Sequence, residues 1–302
     1  SGSNWIIKNN IIHHIGNRIE ESGDGITHYA SFSNIKSNTI YECGNHGIYI
    51  VSDKTVSQGN LVKKNTVYNC YHNCIDLMNR AGVHTSTVVR DNTVYCTTDF
   101  TYRNIKSRGV GANGIYTSGK NESPLKNCII VNNLIVNCVQ MNIHIGKFSD
   151  SIFIINNTMY STQTFAVPRT ACLYVNTDGV VYVRNNIGTN GGKWAFRYTG
   201  GQKIEANYNC WYQPHSLPLG SIGNKTYFEY TTYQKETGLD KNSLFCNPDF
   251  KRPSVDIGSA DFSLMPWSCC IGAGDRNSII SGLLNSQGTR VDIGVIESER
   301  KQ

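Results

Sequence analysis

The sequence predicts a right-handed parallel β-helix, a solenoid of stacked coils, and three observations carry that reading. A short motif ending in Asn recurs along the chain. An aliphatic position recurs one strand later in each coil. The composition favours strands and tight turns over helices, with Asn, Gly, Ile, Thr, Tyr and Val prominent and only 17% charged residues.

The motif reads Ile7-Lys8-Asn9-Asn10-Ile11, Ile35-Lys36-Ser37-Asn38-Thr39, Val62-Lys63-Lys64-Asn65-Thr66 and Val89-Arg90-Asp91-Asn92-Thr93. It returns as Ile130-Val131-Asn132-Asn133-Leu134, Ile154-Ile155-Asn156-Asn157-Thr158 and Val183-Arg184-Asn185-Asn186-Ile187. Ile204-Glu205-Ala206-Asn207-Tyr208 is a weaker copy. The Asn steps are 28, 27, 27, 41, 24, 29 and 21 residues. That period is too irregular for leucine-rich repeats and too short for propeller blades. The alternation of apolar and polar residues is that of strands. An Asn at one turn per coil can donate to and accept from its copies above and below, and it tolerates a left-handed corner. These Asn residues are therefore expected to be a structural ladder and not a site.

The second strand reads Gly25-Ile26-Thr27-His28, Gly47-Ile48-Tyr49-Ile50, Cys74-Ile75-Asp76-Leu77 and Gly114-Ile115-Tyr116-Thr117. Asn142-Ile143-His144-Ile145, Cys172-Leu173-Tyr174-Val175 and Ala195-Phe196-Arg197-Tyr198 continue it. The aliphatic members fall in one column, as a solenoid core requires. Cys43, Cys70 and Cys138 each follow their ladder Asn by five residues, the place that Ile15 takes in the first coil. They are expected to be reduced, buried and apolar in role. The 11 cysteines form no CxxC pair of pairs, which argues against structural zinc. Residues 1–209 are assigned to the coils and 210–302 to a closing segment of the same domain.

These motifs resemble the pectin-lyase-like right-handed β-helix superfamily, over residues Asn4 to about Asn209. Phe228-Glu229-Tyr230, Asn247-Pro248-Asp249-Phe250, Asp261-Phe262-Ser263-Leu264 and Asp292-Ile293-Gly294 look like the closing region of secreted bacterial β-helix proteins. The resemblance implies a polysaccharide-cleaving protein that is extracellular. The chain opens in mid-strand at Trp5, which suggests a fragment or a processed product.

If the aliphatic column faces inward, the next residue in each strand faces out. That outer column reads Thr27, Tyr49, Asp76, Tyr116, His144, Tyr174 and Arg197, on rungs about 4.8 Å apart. Three tyrosines with an acid, an imidazole and a guanidinium suit an extended acidic glycan better than plain solvent. Asp53, Arg80 and Lys120 share a spacing at the strand exit, and Asp53 with Arg80 can equally be a surface ion pair. Between Asn92 and Asn133 an insertion carries Arg103, Lys106 and Arg108, which could overhang the column. The expectation is one exposed groove along the column, flanked by Arg80 and Lys120.

Two chemistries compete. A lyase acting on a uronic-acid glycan needs a base, an acid and a carboxylate-neutralising cation. Tyr116, His144, Asp76, Arg80 and Lys120 supply those types, with Tyr49, Tyr174, Arg197, Arg103, Lys106 and Arg108 binding substrate. A hydrolase needs two carboxylates, and only Asp76 lies on the column, with Asp24, Asp53 or Glu122 as partners from turns. Asn45-His46-Gly47 and Asn176-Thr177-Asp178 match polygalacturonase motifs only by chance, being incomplete or out of order. A non-catalytic phage tail spike or adhesin is the third reading, and a tail spike would be a trimer on the virion surface. No cofactor is expected. Ca2+ is left open, without a clear ligand cluster. The partner is a polysaccharide or oligosaccharide. The net charge of +6 shows no dense basic tract, so nucleic acid is not a partner, and no apolar run is long enough to span a membrane.

Overall fold

The computed structural model describes residues 2–16, 22–97, 113–161, 171–200, 203–214, 217–278 and 291–294. Three parallel sheets run the length of a solenoid. Two of them have eight strands each, one beginning with Ile6–Lys8 and the other with Ile11–His13. The third, eleven-stranded sheet holds Ile26–His28, Ile48–Gln58, Asn73–Thr85, Asn113–Ser118, Met141–Ile145, Ala171–Val175 and Trp194–Tyr198 in that order along its run. No described helix is long and apolar enough to cross a membrane.

The Asn ladder forms at the corner between the first two sheets. Backbone N and Nδ2 of Asn38 both donate to Asn65 Oδ1 at 3.0 Å, and Asn65 repeats the pair on Asn92. The same double donation links Asn92 to Asn133, Asn133 to Asn157 and Asn157 to Asn186. Two details differ from the sequence reading. The left-handed residue is the one before each ladder Asn, as at Ser37 (φ 55), Lys64 (φ 53) and Asp91 (φ 56). That residue turns the chain, at a cost of roughly 1–2 kcal/mol when it is not Gly, and so aims the next amide inward. The last rung is also Asn209 and not Asn207, since Asn186 donates to Asn209 Oδ1 at 3.0 and 3.1 Å. Val183 pairs with Ala206, so the last copy of the motif is Ala206-Asn207-Tyr208-Asn209, two residues beyond the one that Ile204 begins.

The aliphatic column holds throughout. Ile26, Ile48, Ile75, Ile115, Ile143, Leu173 and Phe196 are consecutive register partners and all are buried. Cys43, Cys70 and Cys138 are free and buried among them. Burial pushes the Cys138 thiol above its ordinary range, as expected for a small apolar filler.

The closing segment caps this core. A helix, Tyr230–Thr237, ends at Gly238 in the left-handed conformation (φ 71). It inserts Tyr233 against Phe196. Beyond it, a hairpin of Phe250–Arg252 and Asp261–Leu264 packs on the second sheet, where Leu264, Cys270 and Ile293 meet Ile187 and Cys210. A disulfide joins Cys246 to Cys269.

Candidate functional site

The outer column forms in the register the sequence implies. Thr27, Tyr49, Asp76, Tyr116, His144, Tyr174 and Arg197 lie side by side on successive strands of the third sheet. They do not share one exposed groove. Tyr49 is 3% exposed and Asp76 0%, whereas Tyr116, His144, Tyr174 and Arg197 are half-buried. The cause is local. His46, from the turn that leads into Ile48–Gln58, and Asn73 and Arg80, from the strand Asn73–Thr85, fold over the first part of the column. His46 stacks on the Tyr49 ring at 4.5 Å, and Arg80 lies 5.5 Å over the same ring. His46 and Asn73 close over Asp76.

This half of the column is a polar network. His46 lies between two carboxylates, with Nδ1 3.0 Å from Asp24 and Nε2 2.9 Å from Asp76. Asp24 also accepts from Thr27 Oγ1 at 2.7 Å, Asn45 Nδ2 at 2.9 Å and the His46 amide at 3.1 Å. Partial burial pulls the Asp24 carboxyl upward, but hydrogen bonds from His46 and Thr27 outweigh it and hold the group at about 2. Burial disfavours a charged His46, yet the Asp76 charge and the Asp24 hydrogen bond prevail and raise it to about 9. His72 Nδ1 lies 2.8 Å from His46 Nε2. Asn73 Nδ2 donates to Asp76 Oδ2 at 2.7 Å, and Asn113 in turn fixes the Asn73 amide at 2.8 Å. Asp76 Oδ1 is buried with no hydrogen-bond partner.

The other half is an aromatic stack. The rings of Tyr116 and His144 meet edge to face at 4.8 Å, and His144 meets Tyr174 at 4.7 Å. Arg197 sits over Tyr174 at 5.1 Å and over Trp194 at 4.9 Å. Both ring nitrogens of His144 are shut off from solvent and without partners. Burial drives this imidazole down to about 3, against a smaller upward pull from Asp76. Burial raises the Tyr116 phenol, opposed by a hydrogen bond with Ser118. The stack therefore presents a phenol and a neutral imidazole over the ordinary pH range. Gly146 makes room for it: a Cβ there would stand 2.8 Å from Tyr116 Oη.

The strand-exit row is looser than its spacing suggests. A bulge between Ser52 and Thr55 shifts the register, so Asp53 pairs with Ala81. Arg80 turns to Tyr49, and no ion pair with Asp53 forms among the described residues. Lys120 and Glu122 are exposed, in a turn whose Ser123 packs on Gly82. Arg103, Lys106 and Arg108 lie outside the described residues. Sequence reasoning set His46 aside and passed over His72, although both precede a column strand by nearly the same spacing. It also passed over the stack of His13, Tyr41, Tyr68 and Tyr95 on the second sheet, whose ring faces cover one another at 4.7–4.9 Å.

Among the described residues, two clusters bring three possible ligand atoms together, His46–His72–Asp76 and Cys210–Cys269–Cys270, and in the second Cys269 is held in the disulfide with Cys246.

The description "right handed beta helix region" matches residues 1–98. No curated protein matches the chain. Among solved structures, pectate lyase Pel9A is 11% identical, with a TM-score of 0.60 over 98% of this chain and 80% of its own. XylC in complex with xylose is 12% identical, with a TM-score of 0.51 over 72% of this chain. The match spans about a third (36%) of XylC. At these identities the likeness is one of fold, and this chain has the right-handed parallel β-helix fold.

Proposed function

We propose that this protein is a carbohydrate-active β-helix lyase that cleaves a uronic-acid-containing glycan. The observation that carries the reading is the contact of Tyr116 with His144 on adjacent rungs, one held as a phenol and the other as a neutral imidazole with both nitrogens unpaired. In β-elimination the side chains over His144 part to admit the sugar and uncover a ring nitrogen that is closed off in the free protein, His144 takes the C5 proton, the C4–O bond breaks as the C4–C5 double bond forms, and Tyr116 gives its proton to the leaving oxygen. The imidazolium then returns its proton to the adjacent phenolate, which restores both groups. A uronate entering the stack brings a negative charge that pulls the imidazole upward, towards the range of a working base. Arg197 at one end, and Arg80 and Lys120 at the other, are the cations for the sugar carboxylates. Two fold neighbours support a carbohydrate substrate, since one is named a pectate lyase and the other holds xylose. An enzyme of this kind meets its polymer outside the cell.

The hydrolase reading is weaker on the same geometry. Asp24 already accepts four hydrogen bonds and is held at about 2, so it is a poor acid or base partner for Asp76.

The test is incubation with a panel of polyuronates and neutral glycans, reading the absorbance of the unsaturated product and the appearance of reducing ends. Unsaturated product from a polyuronate, lost in Tyr116→Phe and His144→Ala, is expected. Reducing ends without the double bond would mean hydrolysis. Retention of glycan with neither product would mean a binding module.

A further inference from the structure

We propose that His46, His72 and Asp76 form a binding site for a zinc-class divalent cation, set on the buried half of the column and independent of the lyase reading.

Three ligand atoms converge. His46 Nε2, His72 Nδ1 and an Asp76 carboxylate oxygen all lie within 4.8 Å of one another. His46 Nε2 is 2.9 Å from Asp76 Oδ2 and 2.8 Å from His72 Nδ1. Tetrahedral zinc with bonds of about 2.0–2.1 Å holds its ligands about 3.3 Å apart. The site therefore needs to open by roughly half an ångström, which small side-chain rotations supply.

A second observation is the carboxylate itself. Asp76 is wholly buried and its Oδ1 has no partner. A buried carboxylate with one oxygen left bare is costly, and a cation held by both of its oxygens would relieve that cost. Asn73 Nδ2 covers only Oδ2, and shares itself with His72 Nδ1 at 3.1 Å. Among the described residues the two carboxylates Asp24 and Asp76 are ion-paired to His46, His72 stands beside Asp76, and no Lys or Arg ion pair to either carboxylate is seen. A divalent ion taking the place of the His46 Nε2 proton balances that charge.

The outer layer of the site is already built. His46 turns its second nitrogen, Nδ1, to Asp24, which Thr27 and Asn45 hold in place. A carboxylate behind a ligating imidazole fixes its tautomer and ring plane. His72 is half-buried, which leaves the cation a way in. Two imidazoles and one carboxylate suit zinc and its neighbours. Ca2+ takes six to eight oxygens and does not fit.

The experiment uses the full chain, freed of metal with a chelator, in a His13→Ala/His14→Ala background that removes the exposed histidine pair near the start. Co2+ is titrated as the spectroscopic probe, and Zn2+ and Ca2+ by calorimetry. One Co2+ per chain is expected, with visible bands and without the near-ultraviolet charge transfer of thiolate ligation. Zn2+ should bind and raise the melting temperature, while Ca2+ does neither. His72→Ala should weaken Co2+ binding by about 10-fold or more with unchanged far-ultraviolet dichroism. His72→Gln serves if the alanine variant does not fold. Thiolate bands would move the ion to the cysteine cluster and overturn the proposal. So would equal uptake by parent and His72 variants, or no uptake at all.

Discussion

Asn209 Nδ2 donates to the buried carboxylate of Asp240 at 3.0 Å, and this contact ends the Asn ladder. Asp240 also accepts from Trp211 Nε1 at 3.0 Å, Tyr233 Oη at 2.8 Å and the Ser243 hydroxyl. It ties the capping helix to the last coil. Removing it strands several buried donors. Asp240→Ala is expected to cost about 3 kcal/mol or more, and Asp240→Asn less. Urea midpoints followed by circular dichroism check this, and a loss under about 1 kcal/mol would mean that the cap is held by apolar contacts alone.

The ladder makes a sharper claim about a single atom. Asn92 Nδ2 donates to Asn133 Oδ1 at 2.9 Å and to the Val62 carbonyl at 3.0 Å. Asn92→Asp keeps the shape but sets a buried oxygen against both acceptors. It should destabilise the coils by about 3 kcal/mol or more at neutral pH, with part of the loss recovered in acid, where the carboxyl can donate. Equal stability at pH 7 and pH 4 would contradict this.

His84 gives the fold a pH dependence. It is buried, with Nδ1 donating to the Met78 carbonyl at 3.1 Å and Nε2 3.0 Å from the Thr87 hydroxyl, which can donate to the neutral ring. Burial lowers it to about 4, against an upward pull from the Met78 hydrogen bond, from an ordinary 6.5. The unfolded chain therefore binds the proton first as pH falls. Stability from this residue is complete above about 6.5 and is lost between there and about 4, at up to about 1.4 kcal/mol per pH unit. His84→Gln should flatten that slope, as read from melting temperature against pH.

Thiol counting tests the redox reading. Of 11 cysteines, nine are free and buried, and Cys246 is bonded to Cys269. Denatured, unreduced protein should release nine thiols and reduced protein 11. A count well below nine would indicate a disulfide framework. Losing the single bridge should cost about 3 kcal/mol.

Gly146→Ala probes the stack without replacing any of its members. The added Cβ would meet Tyr116 Oη at 2.8 Å and the Thr117 carbonyl at 2.7 Å. Turnover of a polyuronate should fall about 10-fold or more while the coils stay folded. Unchanged turnover would separate Tyr116 from the chemistry.

The coils were legible because a parallel solenoid repeats one environment, so a residue type recurs wherever the environment does. Ile48, Ile75 and Ile115 disclose the core by recurrence alone. The site was legible in register and not in exposure. Alternation along a strand says that Asp76 points away from the core, but not that His46 from a neighbouring turn and Asn73 from the start of the same strand close over it. These two contacts do not recur from coil to coil, so periodicity is silent about them. The same holds at Asn209, where the motif loses its aliphatic start to Ala206 and the rung moves by two residues.

The double donation of each ladder Asn also has a direction. From Asn10 to Asn186 each Nδ2 donates to the Oδ1 of the next rung, up to Asn209. The amide dipoles therefore add along the solenoid axis, much as peptide dipoles add in a helix, with the positive end at the last coil. The anion Asp240 stands at that end. The molecule thus has an electrical polarity fixed by one residue per coil, and a reversed amide anywhere in the row would oppose both of its neighbours.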